Sequence, residues 1–367
     1  MKKVSIIVML LFSSLMLNAQ NQQIHQQVSG TPVPPTPQSE FKPGGSPIGT
    51  IFFNYGYDFT EGVERSAFTL ERAYLGYKYN FTEKLSARVI FDVGYDGEAF
   101  TAFAKNAFIE WGIIPHLKLT AGLIPLKHFE LQEKVWGYRY IMKPHADQYG
   151  FGTTADLGVN AEIPVNDFLS FNLYFINGEG FKNIQDAFGK HKIGANATIK
   201  PADGFSLRLH YDIMQNGVTD IETGDISDTS NVSVFSAFAG YEDPDAFRFG
   251  IEYNFLNNGR NYLSPAEDYQ RQGFSVFGTY IIDPAFEVFA RYDWITSNDM
   301  NPTVPREWAW FTDGSFILAG VQYRPVKNVN FALNYRTFLK SHSDENYWPA
   351  SVPESTSGIF LNMGISW

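Results

Sequence analysis

Phe205-Ser206-Leu207-Arg208-Leu209-His210-Tyr211-Asp212-Ile213 decides the fold. Odd positions are apolar and even positions polar. Successive side chains of an extended chain point to opposite faces, so this stretch is a strand with one greasy face and one wet face. The pattern recurs where Phe247, Phe249, Ile251, Tyr253 and Phe255 oppose Arg248, Gly250, Glu252 and Asn254. It recurs again where Leu85, Ala87, Val89, Phe91 and Val93 oppose Ser86, Arg88 and Asp92, and where Ala155, Leu157, Val159, Ala161 and Ile163 oppose Asp156, Gly158, Asn160 and Glu162.

Extended along the chain, the alternation predicts strands over 48–59, 66–80, 85–95, 101–113, 117–125, 154–163, 168–177, 187–200, 204–214, 231–241, 246–256, 272–282, 286–296, 313–324, 329–339 and 357–367. At roughly 9–12 residues most are long enough to cross a bilayer at a tilt. The alternation is least clear in 101–113, 231–241 and 272–282. Connections alternate in length. Asn80–Lys84, Pro115-His116, Pro164–Asp167, Pro201–Gly204, Glu242–Asp245, Asp283–Ala285 and Pro325–Asn328 are tight and carry the Pro, Asp, Asn and Gly that preset turns. Those at 215–230, 257–271, 297–312 and 340–356 are long and polar. Short turns at one end and long loops at the other are the outer-membrane asymmetry.

Lipid offers no partner to an open strand edge, so a sheet that spans a membrane must close. The expected fold class is therefore all-β, a transmembrane antiparallel β-barrel of about sixteen strands, apolar face to lipid and polar face to a wet lumen. A soluble sandwich with a dry apolar middle has the same period and is the competing architecture.

The flanks agree with export. Lys2 and Lys3 precede an apolar run from Val4 to Leu17, and Leu17-Asn18-Ala19 ends on a small residue, so 1–19 reads as a signal peptide. Residues 20–47, with Thr31–Pro37 at their centre, read as a Pro/Gln-rich linker, and 48–367 as the barrel. Nothing later approaches the ~18 apolar residues of a membrane helix. Cysteine is absent and aromatics make up 16% of the chain, so closure rests on hydrogen bonds and packing. Net charge is −11, and loss of Lys2 and Lys3 would make it −13. Asp220, Glu222, Asp225 and Asp228 fall in an expected loop. This balance opposes nucleic acid as a partner. Ile359, Leu361, Met363, Ile365 and Trp367 share the last apolar face, and the terminal aromatic resembles the C-terminal signature that outer-membrane proteins present to their insertion machinery.

By strand facing, the inner wall should carry Arg72, Lys78, Arg88, Lys118, Lys190, Lys192, Arg208, Arg248, Arg291, Arg324 and Arg336. Against them stand Asp92, Glu110, Asp156, Glu162, Asp212, Glu252, Glu287 and Asp293. Basic rings favour anions in a pore; a balanced ladder of salt bridges is the alternative. The connection 126–153 is the third external one and is the candidate constriction loop, with Lys127, Lys134, Arg139 and Lys143 facing Glu130, Glu133 and Asp147 and a short helix expected over 127–136. A lid packed on the rim is the competing placement. The seven His residues show no metal-ligand spacing, His210 and Asp212 lack a nucleophile motif, and the acidic loop 220–228 lacks calcium-hand order, so no enzyme, metal or cofactor is expected.

Between Asn106 and Gly180 the chain resembles the phosphate-selective porin O and P family in its Bacteroidota-type branch. The resemblance rests on Asn106-Ala107-Phe108-Ile109-Glu110-Trp111, Gly122-Leu123-Ile124-Pro125, Trp136-Gly137-Tyr138-Arg139-Tyr140, Ala155-Asp156-Leu157-Gly158 and Asn177-Gly178-Glu179-Gly180. It covers about a fifth of the chain. It implies a sixteen-stranded porin, commonly a homotrimer, with an anion-attracting channel built from an arginine ladder and a lysine cluster. The candidate constriction here departs from that pattern, mixing three lysines with three acids. The resulting expectation is an outer-membrane porin of a Gram-negative bacterium that passes small hydrophilic, anionic solutes by passive diffusion. A structural or adhesive barrel with an occluded lumen, and a barrel hydrolase, are the alternatives.

Overall fold

The computed structural model describes residues 41–60, 64–95, 99–183, 190–215, 231–259, 269–297, 313–340 and 355–367. The expected signal peptide and most of the expected linker lie outside these residues. So do most of the long connections and the acidic cluster at 220–228.

Sixteen strands follow one another, with two short helices after the fifth. They are β1 (Gly44–Asp58), β2 (Arg65–Asn80), β3 (Leu85–Tyr95), β4 (Phe100–Ile114), β5 (Leu117–Pro125), β6 (Ala155–Pro164), β7 (Leu169–Ile176) and β8 (Lys192–Ile199). Then come β9 (Phe205–Gln215), β10 (Asn231–Asp243), β11 (Phe247–Gly259), β12 (Tyr269–Ile281), β13 (Phe286–Ser297), β14 (Gly314–Val326), β15 (Val329–Lys340) and β16 (Ser355–Ser366). The helices are α1 (Glu130–Trp136) and α2 (His145–Gln148). β1 begins at Gly44 rather than at 48, because Gly44–Pro47 already pair with Tyr77–Asn80 of β2. β8 is shorter than the expected 187–200.

Each strand pairs antiparallel with its chain neighbours, and β16 returns to β1 to close the barrel. The seam runs from Thr50 opposite Ser366 to Asp58 opposite Gly358. Gly49 N donates to Trp367 O at 3.1 Å and Trp367 N donates to Gly49 O at 3.0 Å. A Cβ on Gly49 would sit 2.0 Å from the Trp367 ring, so the terminal tryptophan closes the seam over a glycine. Tight turns are fixed by side chains that stand in for backbone acceptors. Asp283 Oδ1 accepts from Ala285 N (2.7 Å) and Phe286 N (2.9 Å), and Asn166 Oδ1 accepts from Phe168 N (2.9 Å) and Leu169 N (2.8 Å).

The deciding stretch now has a direction. Phe205, Leu207, Leu209 and Tyr211 are exposed on the outside, while Ser206, His210 and Asp212 are buried inside. A sandwich would reverse this. Rows of exposed aromatic and aliphatic side chains around a closed sheet are the lipid-facing surface of a membrane barrel.

The expected separation of apolar outside from polar inside fails at one position of β4 and along the arc from β10 to β14. Phe108 (β4), Val234 and Phe238 (β10), Phe277 (β12), Phe289 (β13) and Leu318 (β14) point inward and are buried. Three of these strands are those whose alternation blurs in the sequence. Phe108 packs with Ile124, Leu126, Tyr174 and Ile176, whereas the inward apolar residues of β10 to β14 pack on a partner from outside the sheet.

Candidate functional site

That partner is the connection between β5 and β6. Its ends are tied by Leu126 N donating to Thr154 O at 2.9 Å. Between them, α1 stops at Gly137, which adopts φ 76° and gives its N–H to Glu133 O, the left-handed ending that glycine permits. The helix occupies 130–136 of the expected 127–136. The segment then docks by hydrogen bonds to inward side chains on many strands. Tyr138 Oη donates to Glu287 of β13 (2.6 Å), and Tyr140 Oη donates to Gln322 of β14 (2.9 Å). Ala146 N donates to Glu252 of β11 (3.1 Å), and Arg291 of β13 donates to Lys143 O (2.6 Å). Arg271 of β12 caps Tyr149 O, and Arg208 of β9 caps Lys127 O. These partners alternate with lipid-facing residues, so the segment lies inside the barrel against this wall.

A dry core seals the contact. Trp136, Tyr138, Tyr140, Ile141 and Met142 pack on Phe238, Phe277, Phe289, Leu318 and Ala332. The Trp136 ring meets Phe277 edge-on at 5.2 Å and gives its Nε1–H to Met142 O at 2.9 Å, so its one polar atom is paired. A second cluster joins Phe129, Ala146, Tyr149 and Phe151 to Val234, Leu256 and Ile295.

Charges beneath this core are paired. Arg291 and Asp293 form two 2.7 Å bonds, with side chains 1% and 0% exposed. Glu287 receives Arg248 at 2.8 Å and Arg324 at 3.2 Å besides Tyr138. Lys192 lies 3.7 Å from Asp212, and Arg336 donates to Asn334 and Asn362, both at 2.8 Å. The rings of His128 and His210 stack at 4.5 Å. Among the described residues neither nitrogen of His128 has a hydrogen-bond partner, and burial first, then the neighbouring His210, holds its pKa well below the usual imidazole value. His145 is pulled down to about 4, chiefly by burial. It donates from Nε2 to Trp294 O (3.3 Å) and receives Asn254 Nδ2 at Nδ1 (2.9 Å), the pattern of a neutral ring.

The opposite wall, β2 to β6, is uncovered by that core. Arg72 pairs with Asp92 at 2.6 Å, and Lys118 with Glu162 (2.6 Å) and Glu110 (3.4 Å). Arg88 lies 5.7 Å over the Phe108 ring. From the segment, Lys127 meets Glu130 (3.0 Å) and Glu162 (3.1 Å), Arg139 meets Glu133 (3.2 Å) and Asp147 (3.6 Å), and Lys143 meets Asp147 (3.4 Å). Glu133 is raised by burial against the pull of Arg139. Lys134 points away, 71% exposed and 3.8 Å from Glu242. Two cavities open on this side. One of about 360 Å³ at the turn end is lined by Lys78, Ser86, Glu110 and Lys118. The other, about 240 Å³, lies between Arg72 and Lys105 of the wall, Arg139, Lys143 and Asp147 of the segment, and Lys182.

Sequence facing misses Lys105 and Lys182. β4 carries a bulge: Ile90 pairs with Asn106 and Phe91 with Ala104, so Lys105 is the extra residue and turns inward beside Asn106. A similar slip in β2, between Phe52 opposite Arg72 and Phe53 opposite Leu70, inserts Glu71. The blurred alternation of 101–113 is the one sequence sign of the first. Asp156 is not an open wall charge: its Oδ2 accepts from Gly178 N (2.8 Å) and Gly180 N (3.1 Å) and clamps the start of the β7–β8 connection.

No family model matches the sequence, and no curated protein matches it. Solved structures do match in fold. An outer-membrane expressed OmpT of Vibrio cholerae is 13% identical, with a TM-score of 0.59 over 89% of this chain and 98% of its own. OmpF of Salmonella typhi is 16% identical at a TM-score of 0.61, over 88% and 97%. A protein described as an anion-selective porin from Comamonas acidovorans is 11% identical at 0.63, over 89% and 100%. At such identities the likeness is one of fold. The chain is a sixteen-stranded closed antiparallel barrel of the fold these outer-membrane proteins share, with an apolar outer face.

Proposed function

We propose that this barrel is a diffusion pore for small hydrophilic solutes, that it prefers anions, and that the 126–154 segment forms its constriction. Solute passes between the segment and the β2–β6 wall, along the two cavities, with no cofactor and no chemistry. The observation that carries the preference is the surround of the upper cavity: Arg72, Lys105, Arg139, Lys143 and Lys182 against Asp147 and Glu179. Basic side chains at a narrow, partly desolvated point lower the barrier for anions, and several weak contacts let the solute leave. The motif resemblance to phosphate-selective porins and the anion-selective description of one structural neighbour support the same reading. Another neighbour is described in a trimer form, and a homotrimer is the assembly proposed here. The packed aromatic core favours one competitor, a structural barrel whose lumen is occluded.

Bilayer recordings test the proposal. In a potassium chloride gradient the reversal potential should show chloride permeating at least as well as potassium. A strong potassium preference overturns the anion reading, and an absence of conductance favours the occluded barrel. Arg139→Glu should shift the reversal potential toward cations; an unchanged value puts Arg139 outside the path.

A further inference from the structure

We propose that Lys105, Lys182 and the Phe181 ring, with the rings of Tyr74 and Phe103 supporting the two ammonium groups, form a binding site for organic anions that carry a charged head on a flat apolar body, of which an aromatic carboxylate is the type. The inference rests on the anion-pore reading and names the solute class for it.

The two lysines differ from the other charges of the wall. Lys105 Nζ lies 4.8 Å over the Phe181 ring and 5.3 Å over the Tyr74 ring, and donates to Thr154 Oγ1 at 3.2 Å. Lys182 Nζ lies 4.6 Å over Phe103 and 5.9 Å over Phe181. Phe103 and Phe181 are themselves 5.9 Å apart. Among the described residues no carboxylate lies within ion-pair distance of either ammonium. Asp92 is engaged with Arg72, and Asp147 with Arg139 and Lys143, while Glu179 also borders the cavity. A ring face holds an ammonium without pairing it to a carboxylate, which leaves both side chains placed to meet an incoming anion.

The site is also held in place. Lys105 is aimed by the β4 bulge. Phe181 and Lys182 follow a turn whose Gly178 and Gly180 amides are clamped on Asp156, and Phe181 N donates to Ala155 O at 3.1 Å. Gly180 stands at φ +85°, a conformation other residues rarely adopt. The adjoining cavity of about 240 Å³ has room for roughly eight waters, or for a small ring with its head group. An inorganic ion uses only the cations. A flat organic anion also meets the Phe181 ring that borders the cavity, so the arrangement discriminates by the body as well as the head.

The test is block of chloride current through the full-length barrel by benzoate, acetate and inorganic phosphate, each titrated separately. Benzoate should block at a concentration about tenfold below acetate and below phosphate, the scale of one good ring contact. Phe181→Leu and Lys182→Gln should each reduce the benzoate-to-acetate ratio by about threefold or more, a ratio taken within each variant and so independent of how much protein inserts. Lys182 projects from a connection and its replacement does not touch the packed core. Equal block by benzoate and acetate, tighter block by phosphate, or ratios unchanged in both variants overturn the site while leaving an anion pore intact. A cation-preferring or silent barrel overturns the pore reading and the site with it.

Discussion

Along β9 to β16 the inner wall is sealed beneath the 126–154 segment, whereas along β2 to β6 it borders open cavities, and similar ion pairs have different surroundings on the two sides. Arg291 and Asp293 meet at 2.7 Å with side chains 1% and 0% exposed, roofed by Trp136, whose ring lies 5.2 Å from the guanidinium. Arg72 and Asp92 meet at 2.6 Å, yet Arg72 borders the upper cavity. The first pair has lost its water and is tied to one partner and one backbone carbonyl. It fixes where the segment sits and is too enclosed to meet a solute. The second keeps one side toward the cavity, where, on the pore reading proposed above, its field reaches a passing ion. Counting arginines on the polar face therefore overstates the charge a solute meets.

The largest test of this contrast is Trp136→Ala. Removing a fully buried indole from the segment should cost about 3–5 kcal/mol of docking. Single-channel conductance should rise and the 126–154 segment should become open to protease, while the β-sheet signature persists. Conductance as low as in the parent would mean that the segment does not limit the pore.

Acid should act on the same interface more gently. His128 and His145 have pKa values lowered by burial from 6.5, the latter to about 4. Such groups bind protons more readily when undocked, so docking is strongest above the free value and weakens as pH falls through 6.5 toward about 4. The surroundings are mixed: His128 faces His210, Asp212, Lys192 and Arg208, and His145 faces Asp293, Arg291 and Arg271. Glu133, raised by burial, opposes the loss nearer the ordinary carboxylate range, and Glu252 of β11, which accepts from Ala146 N of the segment, also faces this interface. Protease sensitivity of the segment, followed from pH 7.5 downward, reads it; a flat profile to pH 5 refutes it.

The smallest effect belongs to Lys134→Gln. That side chain is 71% exposed, and a pair at 3.8 Å in water contributes about 0–1 kcal/mol. Melting and reversal potential should stay within error of the parent. A clear change in selectivity would bring this face of α1 into the passage and blur the contrast between the halves.

Much of the scaffold is legible in the residues. A period of two in 205–213 and 247–255 forces two faces, and Asp283 and Asn166 announce tight turns through chemistry that acts over two or three residues. The site is legible only in part. Arg72, Arg139, Lys143 and Asp147, singled out by strand facing and the loop's composition, border one cavity, and their role in a solute path is the proposal made above. Lys105 escapes because a bulge shifts the parity of β4 by one, which no local pattern states unambiguously. Phe238 and Phe277 are hidden for a different reason. Their inward position breaks the alternation, and the break gains meaning only once Val135 and Trp136, roughly a hundred residues away or more, are seen to need a partner.

Local periodicity and turn chemistry, then, determined a closed barrel with lipid outside, because each is a property of adjacent residues. Which charges border the cavities and which lie under the aromatic core were decided by one connection folding back onto distant strands. Contacts between residues far apart in the chain leave no period in it, so only the assembled structure could set them.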